Sequence, residues 1–311
     1  MKKVLVLDDI HPVFINTLLE NNFDCVYRPD ITKDEAMKII GNFEGILVRS
    51  KFQITKDVID AAHKLRFIAR SGSGMDDIDV AYAEEKGVSC LRSPEGNCDA
   101  VGEHAVAMLL CLMNKVHLAN TSVKNGEWNR EEHRGTEVSG KTVAIFGYSH
   151  MGKAFARKIS GFEANVVFYD RYNKSLEDAN AKETMLDEIF QTADIVSLHF
   201  PWTPENHHFI EEDFLRKFKK PIYLINTARG KVLDTSIISR LIDEKVLIGV
   251  GLDVLENEKL SSLTLNEKNI FEALIENKRV LMTPHVAGWT HESYYKLAKV
   301  LVDKILALNF P

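Results

Sequence analysis

Residues 141–170 read KTVAIFGYSHMGKAFARKISGFEANVVFYD, and this stretch decides the fold class. Val143, Ala144, Ile145 and Phe146 form a short apolar run, Gly147 and Gly152 bracket a turn, residues 153–159 continue as a helix, and a second apolar run over 166–169 stops at Asp170. Strand, tight turn, helix and strand make the outline of a dinucleotide-binding βαβ unit. Backbone N–H groups at the start of such a helix hold a pyrophosphate, and a carboxylate ending the second strand accepts hydrogen bonds from a ribose diol. Asp170 lies 18 positions beyond Gly152 (170 − 152), which suits that role. The G-x-G-x-x-G pattern is incomplete, because Ser149 stands where its middle glycine is expected. A serine there implies a displaced pyrophosphate or a hydroxyl that contacts it. An ordinary βα turn would have the same outline, so the rest of the chain must decide.

At 311 residues the chain has room for two domains, each with its own core. Its 39 Lys and Arg against 45 Asp and Glu give a net charge of −6, and no segment gathers the cations into a stripe. Nucleic acid is therefore not an expected partner. Cys25, Cys90, Cys98 and Cys111 have neither C-x-x-C spacing nor disulfide-rich density, as expected of reduced thiols in a cytoplasmic protein. Asp8 and Asp9 interrupt the N-terminal apolar run too early for a signal peptide, and no run approaches a membrane span, so no membrane partner is expected.

Short apolar runs alternate with helical patterns along the chain, which predicts α/β architecture with parallel sheets and ligands beyond the carboxyl ends of the strands. Early in the chain, a pair of these runs end in polar clusters, Arg49, Ser50 and Lys51, then Arg70, Ser71, Gly72, Ser73 and Gly74. The glycine-rich cluster is able to bind a carboxylate or phosphate through its N–H groups, or is simply a turn that needs glycine. Residues 90–99 shift to turn formers and mark an expected domain crossing before a long apolar helix over 101–114; residues 114–140 read as a polar arm. Beyond Asp170, four runs end in His199, in Asn226-Thr-Ala-Arg229, in Asp253 followed by Glu258, and in Thr283-Pro-His285. No metal-ligand pattern appears among them.

An Arg, a Glu and a His delivered beside a nicotinamide suit oxidation or reduction at a carbon that bears oxygen. Arg229 would pair with a substrate carboxylate, because a guanidinium offers two parallel donors. His285 would donate or remove the proton at the substrate oxygen, and Glu258 would hold the other imidazole N–H. Singly each has a plainer explanation: a structural histidine, a solvated carboxylate, an arginine closing a strand end. Their joint arrival at successive strand ends favours the chemistry.

The segments 226–230, 251–258 and 283–288, in this order, resemble the arginine, glutamate and histidine segments of the D-isomer-specific 2-hydroxyacid dehydrogenases. The resemblance spans nearly the whole chain. It implies a Rossmann-type NAD domain over residues 99–288, inserted into a flavodoxin-like substrate domain made of residues 1–98 and 289–311. It implies Arg229, Glu258 and His285 as the catalytic set. Implied cofactor contacts are Val101, Gly147, Ser149, His150, Met151, Gly152, Asp170, His199, Pro201, Thr227, Asp253 and Gly288. Arg49, Ser50, Ser71, Gly72, Ser73 and Gly74 fall on the substrate side. Asp170 points to NAD, since a carboxylate repels the additional phosphate of NADP. A homodimer using the arm and the long helix is also implied.

Arg49, Lys51 and Arg70 suggest cations placed around a phosphate, so D-3-phosphoglycerate or its keto form is the first expected substrate and hydroxypyruvate or glyoxylate the next. No serine-binding regulatory domain is expected at this chain length. The rival from another class is an NAD(H)-sensing, corepressor-like interaction protein.

Overall fold

The computed structural model describes residues 1–173 and 176–308. The chain divides into two compact units, Met1–Cys98 with Trp289–Pro311, and Asp99–Gly288; residues 174–175 and 309–311 lie outside the described residues.

The first unit runs β1 (Lys2–Val6), α1 (Val13–Glu20), β2 (Phe23–Tyr27), α2 (Lys33–Ile39), β3 (Gly45–Val48), α3 (Lys56–Ala61), β4 (Phe67–Arg70), α4 (Val80–Glu85) and β5 (Ser89–Arg92). All its strand pairs are parallel, in the order β2-β1-β3-β4-β5, the flavodoxin-like arrangement with its switch point between β1 and β3. Alternate side chains serve opposite faces. Leu5, Ile46, Val48 and Ile68 pack with Ile40 and Val58 on one side. Val4, Val6, Leu47 and Phe67 pack on the other with Phe14, Leu18, Leu301 and Ile305, so residues from the chain's C-terminal end complete this core. Burial, with the nearby charges of Asp24 and Glu84, pushes the thiols of Cys25 and Cys90 up to about 11. Alkylation of these two at pH 8 should therefore be on the order of a hundredfold slower than that of an open thiol. A mass-spectrometric time course that labels them at the ordinary rate would contradict this environment.

The chain enters the second unit within α5 (Pro94–Met113) and continues through α6 (Val116–Lys124), β6 (Thr142–Phe146), α7 (His150–Ile159), β7 (Asn165–Tyr169), β8 (Lys182–Glu183), α8 (Leu186–Thr192) and β9 (Ile195–Leu198). It then forms α9 (Glu212–Leu215), β10 (Ile222–Asn226), α10 (Ile238–Asp243), β11 (Leu247–Leu252), α11 (Leu265–Glu276) and β12 (Val280–Met282), before α12 (His291–Ala307) returns to the first unit. The seven strands are ordered β12-β11-β10-β9-β6-β7-β8, all parallel. The order reverses beside β6, as in a Rossmann sheet, so ligands belong at the carboxyl end of β6. The β6 sequence TVAIF is buried throughout, as a central strand covered on both faces requires. Ala144 and Phe146 face Phe214 and Leu241, while Val143 and Ile145 face Leu109 and Phe155.

Two local expectations change. The turn-forming composition of residues 94–98 is already helical, because Pro94 opens α5 at a position where its missing N–H costs nothing. The polar arm contains α6, whose preceding residue Lys115 adopts φ +52° to break it from α5. No single helix among the described residues is long and apolar enough to cross a membrane; α5 and α6 pass that test only together, and they are bent by 60°.

Candidate active site

Gly147 and Gly152 build the turn after β6, and each is needed for its own reason. Gly147 has φ +88°, and a Cβ there would stand 2.8 Å from backbone atoms of His199 and Phe200. A Cβ on Gly152 would stand 2.1 Å from the Gly147 carbonyl oxygen. Ser149 has φ −96° and makes no side-chain cap to α7, so its backbone does not need glycine, and its exposed side chain leaves the turn intact. His150 opens α7, Met151 is half-buried beside it, and Val101 is buried on α5.

Asp170, at the end of β7, does more than the spacing predicts. Its Oδ2 accepts the Tyr148 N–H at 2.9 Å, while Oδ1 accepts those of Tyr172 (3.0 Å) and Asn173 (2.9 Å). Burial opposes its ionisation, but these donors prevail and hold its carboxyl below the ordinary value. The carboxylate thus ties the glycine turn to the turn after β7.

His199 follows β9 and is buried, with Nε2 2.8 Å from Ser197 Oγ. Burial pushes it down to about 3, so the ring is neutral. Its Nδ1 and the Thr227 hydroxyl after β10 are buried without a hydrogen-bond partner in the protein. Such orphaned polar atoms are rare in folded proteins. Here they lie at the strand ends beside a glycine turn, where a bound dinucleotide would satisfy them. Pro201 is exposed in the loop that follows. The residues present therefore fit NAD.

After β10 the Asn226 amide shapes the next turn, donating to the Arg229 carbonyl at 2.9 Å and accepting the Ala228 N–H at 3.0 Å. Nothing in the spacing marked Asn226 for this task. After β11, Asp253 is 1% exposed, and its carboxylate accepts the Thr283 hydroxyl (2.5 Å) and the N–H groups of Val286 and Ala287 (both 2.9 Å). Its carbonyl accepts the His285 N–H at 2.8 Å. One residue thereby holds the segment that carries His285, which sits at φ +53°, where a residue with a Cβ is strained. Gly288 closes that segment and the unit.

His285 Nδ1 lies 2.9 Å from Glu258 Oε2, with both side chains nearly half exposed. Burial opposes the ionisation of Glu258; the hydrogen bond and charge of His285, with smaller help from the Leu255 N–H and the Arg229 charge, hold its carboxyl below the ordinary value. The carboxylate accepts from Nδ1, so Nε2 is left for a substrate. Among the described residues no group of three or more His, Cys, Asp or Glu is arranged to hold a metal ion.

In the first unit, the Asp8 Oδ2 accepts the N–H groups of Arg49 (2.6 Å), Ser50 and Lys51 (both 3.1 Å). Arg49 stacks over Trp289, 3.7 Å from the ring centroid. Lys51 donates its ammonium to the Pro29 carbonyl. Ser71 N–H donates to the Val48 carbonyl (2.9 Å), Gly72 N–H to Ser93 Oγ (3.3 Å) and Ser73 Oγ to Asn97 Oδ1 (2.7 Å); Gly74 ends this cluster. Asp8 thus fills the backbone donors of residues 49–51, while the Lys51 ammonium is engaged by Pro29.

Residues 106–287 match the model of the D-isomer specific 2-hydroxyacid dehydrogenase NAD-binding domain. The chain belongs to the D-isomer-specific 2-hydroxyacid dehydrogenase family. As a member it is an NAD-dependent oxidoreductase, and NAD is its cofactor. It is 32% identical over 275 residues to the hydroxypyruvate reductase of Thermotoga maritima, covering 88% of each chain. It is 29% identical over 295 residues to the D-3-phosphoglycerate dehydrogenase of Rattus norvegicus, covering 94% of this chain and 54% of that protein. The chain thus spans about half the length of that relative. A D-lactate dehydrogenase from Aquifex aeolicus, solved with NAD and lactic acid, superposes with a TM-score of 0.83 at 26% identity, over 98% of this chain and 95% of that one.

Proposed function

We propose that this family member reduces a small, unphosphorylated 2-keto acid to the D-2-hydroxy acid and catalyses the reverse oxidation, with hydroxypyruvate or glyoxylate as the keto substrate. The observation that carries the chemistry is the 2.9 Å contact between His285 Nδ1 and Glu258. Arg229 binds the substrate carboxylate through its paired donors. Glu258 fixes the imidazole by accepting from Nδ1, and Nε2–H delivers the proton to the keto oxygen. NADH, when bound, supplies the hydride. In the reverse direction neutral Nε2 takes the hydroxyl proton. Arg49, Ser50, Ser71, Gly72, Ser73 and Gly74 are the substrate-binding residues of this reading, and Val101, His199, Pro201, Thr227, Asp253 and Gly288 join the glycine turn and Asp170 as cofactor contacts.

The surroundings of Arg49 support the unphosphorylated class over 3-phosphohydroxypyruvate. Asp8 and Asp9 both act electrostatically on its guanidinium, and a phosphate of nearly two negative charges would meet them as like charges. The exposed apolar side chains of Val116, Val123 and Trp128 support a homodimer in which a second copy covers them, and the four cysteine thiols support a cytoplasmic setting. Steady-state NADH oxidation with hydroxypyruvate, glyoxylate, pyruvate and 3-phosphohydroxypyruvate tests the reading. Hydroxypyruvate or glyoxylate should exceed the phosphorylated acid in kcat/KM by at least about tenfold, one unfavourable charge contact. The opposite order would restore the phosphoglycerate assignment, and tight NADH binding without turnover of any acid would favour an NAD(H) sensor.

A further inference from the structure

The geometry points to His104, on α5, as a positioning residue for the proton donor His285, acting through the Thr283 hydroxyl. His104 Nε2 is 3.0 Å from Thr283 Oγ1 and 3.6 Å from Asp253 Oδ1. The directions of these bonds follow from chemistry. The Asp253 carboxylate is an acceptor, and Thr283 Oγ1 lies 2.5 Å from its Oδ1, so the threonine proton is committed to Asp253. The threonine oxygen then accepts, and the proton between it and His104 must be on Nε2. The result is a chain of aligned bonds from His104 to Thr283 to Asp253. Asp253 in turn accepts the N–H groups of Val286 and Ala287 and, through its carbonyl, that of His285.

What this chain holds is a strained backbone. His285 has φ +53°, a conformation that persists only where the surroundings over-determine it. Asp253 supplies that determination, but a carboxylate with 1% exposure is costly unless its oxygens are fully engaged. His104 adds a donor to the hydroxyl that Oδ1 accepts from, which fixes the Thr283 rotamer and keeps the carboxylate in register with the 285–287 segment. Its side chain is 25% exposed, so it is not a core-filling ring; its place is set by this contact. His104 touches no reacting atom and acts on catalysis only through the aim of His285. The inference rests on the reading of His285 as proton donor.

The test uses the whole 311-residue chain with NADH and its best 2-keto acid. His104→Ala should lower kcat roughly tenfold to a hundredfold, the scale of a small misplacement of a reacting group. The Kd for NADH, read by fluorescence, should stay within about twofold. His104→Gln, whose amide can still donate to Thr283, should recover most of the loss. Should His104→Ala fail to fold, Thr283→Val and Thr283→Ser supply the same contrast, with valine impaired and serine restored. In the folded case, His104→Ala combined with Thr283→Val should be no slower than Thr283→Val alone, because the two remove one interaction. Nitrogen-15 NMR of neutral His104 should show the proton on Nε2. A His104→Ala enzyme with unchanged kcat, additive losses in the double variant, or an Nδ1–H tautomer would each overturn the proposal. Loss of the role of His285 would appear separately, as a His285→Ala enzyme that still turns over.

Discussion

His285→Ala is expected to lower kcat by about 10²–10⁴-fold, the range supplied by a placed general acid or base. NADH affinity should remain within about twofold, because the cofactor turn is built from β6, α7 and the end of β7, not from this side chain. Glu258→Gln separates the two duties of the pair. A glutamine oxygen still accepts the Nδ1–H, so orientation is largely retained, while the negative charge beside the ring is lost. The Glu258 carboxyl sits below its ordinary value after burial is outweighed by His285, Leu255 and Arg229. A group depressed in this way exerts its effect at all pH above the ordinary carboxylate range and loses it as pH falls through the folded value. In the reduction direction Glu258→Gln should therefore be slower than the parent at every pH above the ordinary carboxylate range, where the parent carries the Glu258 charge and the variant does not. Pre-steady-state rates across pH 5–9 would read both effects. A His285→Ala enzyme within tenfold of the parent would remove His285 from the acid–base role.

The sequence made the three strand ends legible because each is a local event: an apolar run stops, and a polar group with recognisable chemistry follows within a few residues. Gly147 and Gly152 were legible for the same reason. Ser149 looked like a defect, yet at φ −96° it occupies backbone space open to any residue, and only the dihedral distinguishes these cases. What the sequence hid was support. His104 meets Thr283 across 179 positions, and Asp8 reaches the N–H of Arg49 across 41. Such pairings follow from which strands lie side by side, so they emerge only when the sheet order is known. Asp170 shows the limit most clearly. Its place at a strand end predicted a carboxylate for a ribose diol but not the three backbone N–H groups from two separate turns that converge on it. The contacts of Asp8 with the backbone of Arg49 and of Pro29 with Lys51 were hidden for the same cause, since Asp8 lies beyond another strand end and Pro29 follows a third.

Gly230→Ala carries the second large effect, and it arises from backbone packing rather than chemistry. A Cβ at residue 230 would stand 2.0 Å from the Leu255 carbonyl carbon, 2.1 Å from its oxygen and 2.4 Å from the Glu256 nitrogen. None of these is the end of a flexible side chain, so the 255–256 segment must move. That segment is pinned from the far side. Glu256 accepts the Thr235 N–H (3.1 Å) and hydroxyl (2.7 Å), and its other oxygen lies 2.6 Å from His208 Nε2. Relief by an outward swing would break these bonds, and relief by moving residue 230 would drag Arg229, its neighbour. Overpacking of this kind costs about 1–3 kcal/mol, which for a domain of this size lowers Tm by roughly 2–12 °C. Glu258 lies two residues beyond the displaced Glu256, so both a substrate-clamping and an imidazole-orienting group are disturbed. The fall in kcat/KM should accordingly exceed that of Glu258→Gln, where only one is altered. Gly161→Ala is the control, since a Cβ there meets nothing within 4 Å; its Tm and turnover should match the parent. Calorimetry and kinetics on the two variants decide the matter. Equal behaviour of Gly230→Ala and Gly161→Ala would mean that the approach of the 255–256 segment to residue 230 does not hold Arg229 and Glu258 in place.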